Sequence, residues 1–243
     1  MVVLRDDKRI ARLARLAQLL SLGGLAALVV GLLFIFISDD PNVFLYQLGA
    51  LVVGYTLSQI GLHLAHRYLR QPRMDQVLDR AVSKAARTDG RLYHYLLPAP
   101  HVLLLSTGIF VLVTKFQTGR ISADGDAWTQ AGIGLRRFIG REGLGNPTRE
   151  AEAQTAKMAE FLKGIAPDVA ETAIFPVIVF TAQNIENLDV KRSRIPAMHH
   201  SKLNTYLRQQ KDKQKPLPRA EYETLKAAFD ARGSHLIEAT AEE

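Results

Sequence analysis

The sequence predicts an α/β protein in two parts. An N-terminal transmembrane helical hairpin fills residues 1–73, and a mixed-sheet α/β domain fills residues 74–243. Three observations predict this. Two apolar runs, Leu16 to Ile37 and Val43 to Ala65, carry no charge when His63 is neutral and are separated by five residues. Beyond Arg73 the chain changes to short β-type runs set between amphipathic segments. Cysteine is absent, which excludes disulfide frameworks, zinc knuckles, iron–sulfur clusters and thiol nucleophiles.

The first run is 22 residues long. At 1.5 Å per residue it reaches roughly 33 Å, enough for a hydrocarbon core of about 30 Å. Its apolar core exceeds that of a cleaved signal peptide, and a second span follows at once. Ser38-Asp39-Asp40-Pro41-Asn42 between the runs reads as a tight acidic turn, so the spans are antiparallel neighbours. Gly23, Gly24, Gly31, Gly49, Gly54 and Gly61 give the spans surfaces for close approach. His63 and His66 read as an interfacial polar pair beside Arg67, with a metal or haem ligand pair as the alternative.

The net charge is +7. Residues 1–73 hold 8 basic against 4 acidic residues, so more than half of the excess flanks the apolar runs. Those cations, Arg5 to Arg15 and Arg67 to Arg73, lie outside the two spans. The positive-inside rule then places both termini and the main domain in the cytoplasm of an inner-membrane protein.

In the second part, Met74 to Arg87 reads as an amphipathic helix ended by Thr88-Asp89-Gly90. Leu92 to Leu97 is a first strand. His101 to Leu105 and Ile109 to Phe116 form a hairpin about Ser106-Thr107-Gly108. Arg120–Ala123 and Ala127–Thr129 are short strands about Asp124-Gly125-Asp126. Ala131 to Gly145 reads as a loop with a basic centre at Arg136, Arg137 and Arg141. Asn146-Pro147 opens a helix, asparagine as N-cap and proline at the first helical position, with Ala151, Thr155, Met158 and Leu162 facing inward. Ile174 to Phe180 is a buried strand whose Pro176 belongs at a rim. Helices over Ser201–Gln210 and Ala220–Ala231 complete an α-β-β-β-α-β-α-α order.

Lys191, Arg192, Arg194, Lys202, Arg208, Lys211, Lys213, Lys215 and Arg219 crowd one segment that contains a single acidic neighbour, Asp212. A solvated face, anionic lipid head groups and nucleic-acid phosphate all fit that run. His199 and His200, adjacent on an extended segment, are expected to point to opposite sides, and no metal site is read from them or from His101.

His101-Val102-Leu103-Leu104-Leu105, Thr107 to Leu112, Lys115, Gly119, Trp128, Asn146-Pro147 and Val177 to Thr181 follow one another in an order that resembles the nuclease-related domain (NERD) family. That family is a branch of the restriction-endonuclease-like fold, and the resemblance spans roughly residues 74–230. It implies two carboxylates on adjacent strands holding Mg²⁺, with a lysine beside the attacking water. Here Pro100 and Val113 stand where the carboxylates belong, and Lys115 alone keeps its place. The expectation is a membrane-anchored, non-catalytic binding or scaffolding module without a cofactor, whose partners are membrane lipids and nucleic acid or anionic head groups. A tethered Mg²⁺ nuclease using Asp124, Asp126 or Glu150 is the alternative. So is a small accessory subunit, whose hairpin packs against a membrane-protein partner or a second copy. Lys115 on a solvated sheet face is the plain reading of that residue.

Overall fold

The computed structural model describes residues 1–37, 43–132, 143–169 and 173–233. The acidic turn and the basic centre at Arg136, Arg137 and Arg141 lie outside the described residues. The described residues divide into two compact units, Asp7–Arg73 in one and Met1–Asp6 with the described residues from Met74 onward in the other.

The first unit is a pair of helices, α1 (Asp7–Ile37) and α2 (Val43–Tyr68), each long and apolar enough to cross a membrane. Small residues let the helices approach closely. A side-chain carbon placed on Gly54 would lie 2.8 Å from the Gly24 carbonyl, and one on Gly31 would lie 2.6 Å from the Ala50 methyl. Gly61 packs in the same way against Ser21 and Ala17. Leucines, valines and aromatics on the remaining faces are exposed.

The second unit is built on a six-stranded mixed sheet of β1 (Val2–Arg5), β2 (Arg91–His94), β3 (His101–Leu105), β4 (Gly108–Lys115), β7 (Ile174–Phe180) and β9 (Ala197–His199), in that spatial order. A three-stranded sheet has β5 (Gly119–Asp124) between β6 (Ala127–Ala131) and β8 (Ile185–Lys191). The pleat sends alternate residues of β4 to opposite faces. Ile109, Val111 and Val113 join the core formed with α4 (Pro147–Ile165) and α6 (Arg219–Asp230). Phe110 and Leu112 join the core formed with α3 (Met74–Val82) and α5 (His200–Lys213). Both faces of β3 and β4 are covered, so these strands are apolar almost throughout.

Several expectations change in detail. The first six residues belong to the sheet unit and not to the helical pair. Val2–Arg5 pairs in parallel with Arg91–His94 at the sheet edge, so the division at residue 73 holds only from Asp7 onward. The first helix ends at Val82 and continues as turns, and the first strand ends at His94. β8 and β9 were not expected: β8 carries Glu186, Asn187 and Asp189 on an edge, and β9 is three residues long. Pro176 sits in β7 ahead of Ile178, where pairing with β9 begins, so its missing N–H costs that ladder nothing.

Candidate functional site

Lys115 ends β4 on the parity of Val111 and Val113, so it points to the side where α4 lies. It is 8% exposed, which removes the reading of a solvated sheet face. Its Nζ donates to Glu150 Oε2 at 2.5 Å and to the Leu144 carbonyl at 3.2 Å. Gln154 Nε2 donates to the other Glu150 oxygen at 3.2 Å.

The first turn of α4 holds Glu150 in place. Asn146 Oδ1 accepts from the Arg149 N–H at 3.1 Å, the cap that the sequence foretold, and Trp128 Nε1 donates to Thr148 Oγ1 at 2.8 Å. On the strand side, the Thr181 N–H donates to the Lys115 carbonyl at 2.7 Å, which ties β4 to the end of β7.

These residues do not fit Mg²⁺. A magnesium ion needs several oxygen ligands, with at least one or two carboxylates among them. Val113 is a buried core side chain, and Pro100 offers only a carbonyl, which accepts from the Tyr95 N–H at 2.8 Å. The oxygens that reach Lys115 are Glu150 and the Leu144 carbonyl, and the ammonium holds both. Among the described residues no three His, Asp or Glu side chains are grouped to hold a metal.

The other candidate carboxylates are paired with cations. Arg192 donates to both oxygens of Asp124, at 2.8 and 2.5 Å. Arg194 reaches Asp126 at 2.6 Å and Glu152 at 3.0 Å. Hydrogen bonding to Asp126, then the charges of Asp126 and Glu152, raise the Arg194 pKa.

The basic segment is therefore not one face opposed by Asp212 alone. Lys191 pairs with Asp189 at 3.0 Å, and Lys211 with Asp89 at 2.7 Å. Burial alone would raise the Asp89 carboxyl, but Lys211 and the Ser106 N–H outweigh it and hold it at about 2. Lys202, Arg208, Lys213 and Lys215 stay exposed on α5 and just beyond it. The histidine expectation also changes. His199 caps α5 and His200 begins it, and their rings lie 4.1 Å apart instead of on opposite sides. Burial, then the neighbouring His199, lowers the His200 pKa.

A second polar cluster escaped the sequence reading. His94 and His101 face each other across the β2–β3 pair, with their Nδ1 atoms 2.8 Å apart. His94 Nε2 donates to Asp79 Oδ1 at 2.9 Å. Since a carboxylate only accepts, a neutral His94 has its lone pair on Nδ1, and His101 Nδ1–H donates to it. Arg5 closes the cluster from β1, donating to Asp75 at 2.7 Å and to Asp79 at 2.5 Å. Burial alone would raise the Asp79 carboxyl; His94 and then Arg5 reverse that and lower it. The available signal was a histidine on either side of the Pro98-Ala99-Pro100 turn, in two runs of β type. Another buried tie joins Tyr93 and Asp230: burial, then that carboxylate, pushes the Tyr93 phenol up, while Arg91 neutralises Asp230 at 2.6 Å.

Comparison with curated proteins and with solved structures finds no match. The family model described as the nuclease-related domain matches residues 80–181, from α3 through the end of β7. That stretch contains the His101 and Lys115 strands, Trp128 and the Asn146-Pro147 helix start. With this order of motifs and this mixed sheet, the chain carries a domain of the nuclease-related (NERD) family over residues 80–181.

Proposed function

We propose that the chain is a membrane-anchored nuclease-related module that binds polyanions and does not cleave them. One observation carries the non-catalytic part. Lys115 is engaged by Glu150, while Val113 and Pro100 supply no carboxylate beside it. A lysine so paired has no cation to work beside, and its own charge repels one. Anchoring is supported by the apolar surface: Val2 apart, the exposed large apolar side chains among the described residues belong to α1 and α2. The basic flanks assign both termini to the cytoplasmic side.

The full chain in detergent should show no Mg²⁺- or Mn²⁺-dependent cleavage of single- or double-stranded DNA or of RNA. Metal-dependent cleavage abolished by Lys115→Ala would overturn the proposal and promote a tethered nuclease with Glu150 as its first carboxylate.

Binding is assigned to Lys202, Arg208, Lys213 and Lys215, since Lys191, Arg192, Arg194 and Lys211 already hold carboxylates. In neutral-lipid nanodiscs, the chain should bind a short DNA duplex, or anionic vesicles added in trans, with steep salt dependence. Replacing those four residues by Gln should flatten the log–log salt slope for DNA by about 3 to 4. An unchanged slope would return α5 to a solvated face.

A further inference from the structure

The outer face of α2 carries a pattern that one hairpin does not use. The inner stripe, Gln47, Ala50, Gly54, Ser58 and Gly61, meets α1 through the close approaches at Gly24, Gly31, Gly54 and Gly61. On the opposite side run Leu45, Gly49, Val52, Thr56, Gln59 and His63, all exposed. Their spacing alternates four and three residues, the seam of a two-helix supercoil. The flanks beside this seam are Leu51, Val53, Tyr55 and Ile60, so on the outer side Gly49, Thr56, Gln59 and His63 fall along one line between larger side chains.

From this seam we infer that two copies of the chain pair in parallel through the outer face of α2, with Gln59 meeting Gln59 of the second copy. The inference rests on the membrane reading proposed above. Gln59 lies about 9 Å along the helix from Ala65, inside the apolar run. In hydrocarbon its amide has no water to bond, and α1 lies on the other side of the helix. An amide is donor and acceptor at once, so two of them related by a twofold axis along the membrane normal satisfy each other. Thr56 needs no such partner. Its hydroxyl donates to the Val52 carbonyl at 2.7 Å. A side-chain carbon on Gly49 would meet nothing within 4 Å, so that site is open for a second backbone to approach. The seam carries no charged Asp, Glu, Lys or Arg, and every residue in it can oppose its own copy. That favours a second copy of this chain over a partner of different sequence.

The natural absence of cysteine makes the test direct, because each introduced thiol is the sole one. Full-length Val52→Cys and Val53→Cys variants lie at nearly equal depth, on the seam and on its flank. Under mild oxidation in membranes, Val52→Cys should form a disulfide dimer at least fivefold faster than Val53→Cys. Adding Gln59→Leu to Val52→Cys should slow that cross-link at least fivefold while the chain stays in the membrane after alkaline carbonate washing. Equal rates at the two positions, no effect of Gln59→Leu, or cross-linking to a different protein would overturn the pairing with membrane retention intact. Release by carbonate would instead overturn the membrane reading beneath it.

Discussion

Replacing Asp79 by Ala is expected to lower the unfolding free energy by about 3 kcal/mol, read as the shift of the urea midpoint. The loss strands the His94 Nε2–H, whose side chain is fully buried, and removes one of the two carboxylates that hold Arg5. Asp79 is itself partly exposed, which keeps the figure at the low end for a broken buried pair. Acid should act through the same contact. Its folded pKa lies below the ordinary carboxylate value of 3.8, so its stabilisation is complete above that value and fades as pH falls through the lowered one. Asp89, held at about 2, loses its contribution between 3.8 and that value. Asp79→Asn should therefore flatten the acid limb of the stability profile without removing it. An unchanged limb would mean that the contact with His94 and Arg5 adds nothing to folding.

Glu150→Gln is the second large effect, with an expected loss of about 2 to 3 kcal/mol. The substitution leaves the Lys115 ammonium nearly buried, facing a neutral amide and the Leu144 carbonyl. The Glu150 side chain is 35% exposed, so water screens part of the pair, and the loss stays below that of a fully enclosed one. Lys115→Met together with Glu150→Gln should recover most of the stability, because no charge is then stranded. Strictly additive losses would contradict this account. Neither variant should create metal-dependent cleavage.

Much of the fold was legible because its strong elements obey simple periodicities. Leu103 to Leu105 and Ile109 to Val113 are apolar on both faces because helices cover both sides of the sheet. Asn146-Pro147 fixes a helix start by local chemistry alone. The misses share one cause, since their meaning lies in partners distant along the chain. Val2–Arg5 is too short to declare itself a strand without Arg91–His94 beside it. Glu150 was readable as a helix-start acid, but not as the counter-ion of Lys115 across 35 residues. The basic segment looked unopposed because Asp89, Asp124 and Asp126 reach it from far upstream.

The edge strand β1 also bears on the order of synthesis. Its residues are made ahead of both apolar helices, yet their partners in β2 follow about 90 residues later. At common elongation rates that is a delay of roughly 5 to 20 seconds. Both apolar helices are made in the interval, so the hairpin is complete before the edge of the sheet can close. A shortened chain starting at Met74 would meet the opposite problem. It would never possess the strand that covers Arg91–His94, and Asp75 and Asp79 would lack the guanidinium that bridges them. Grafting residues 1–6 onto Met74 through a flexible linker is expected to restore that strand to a hairpin-free protein.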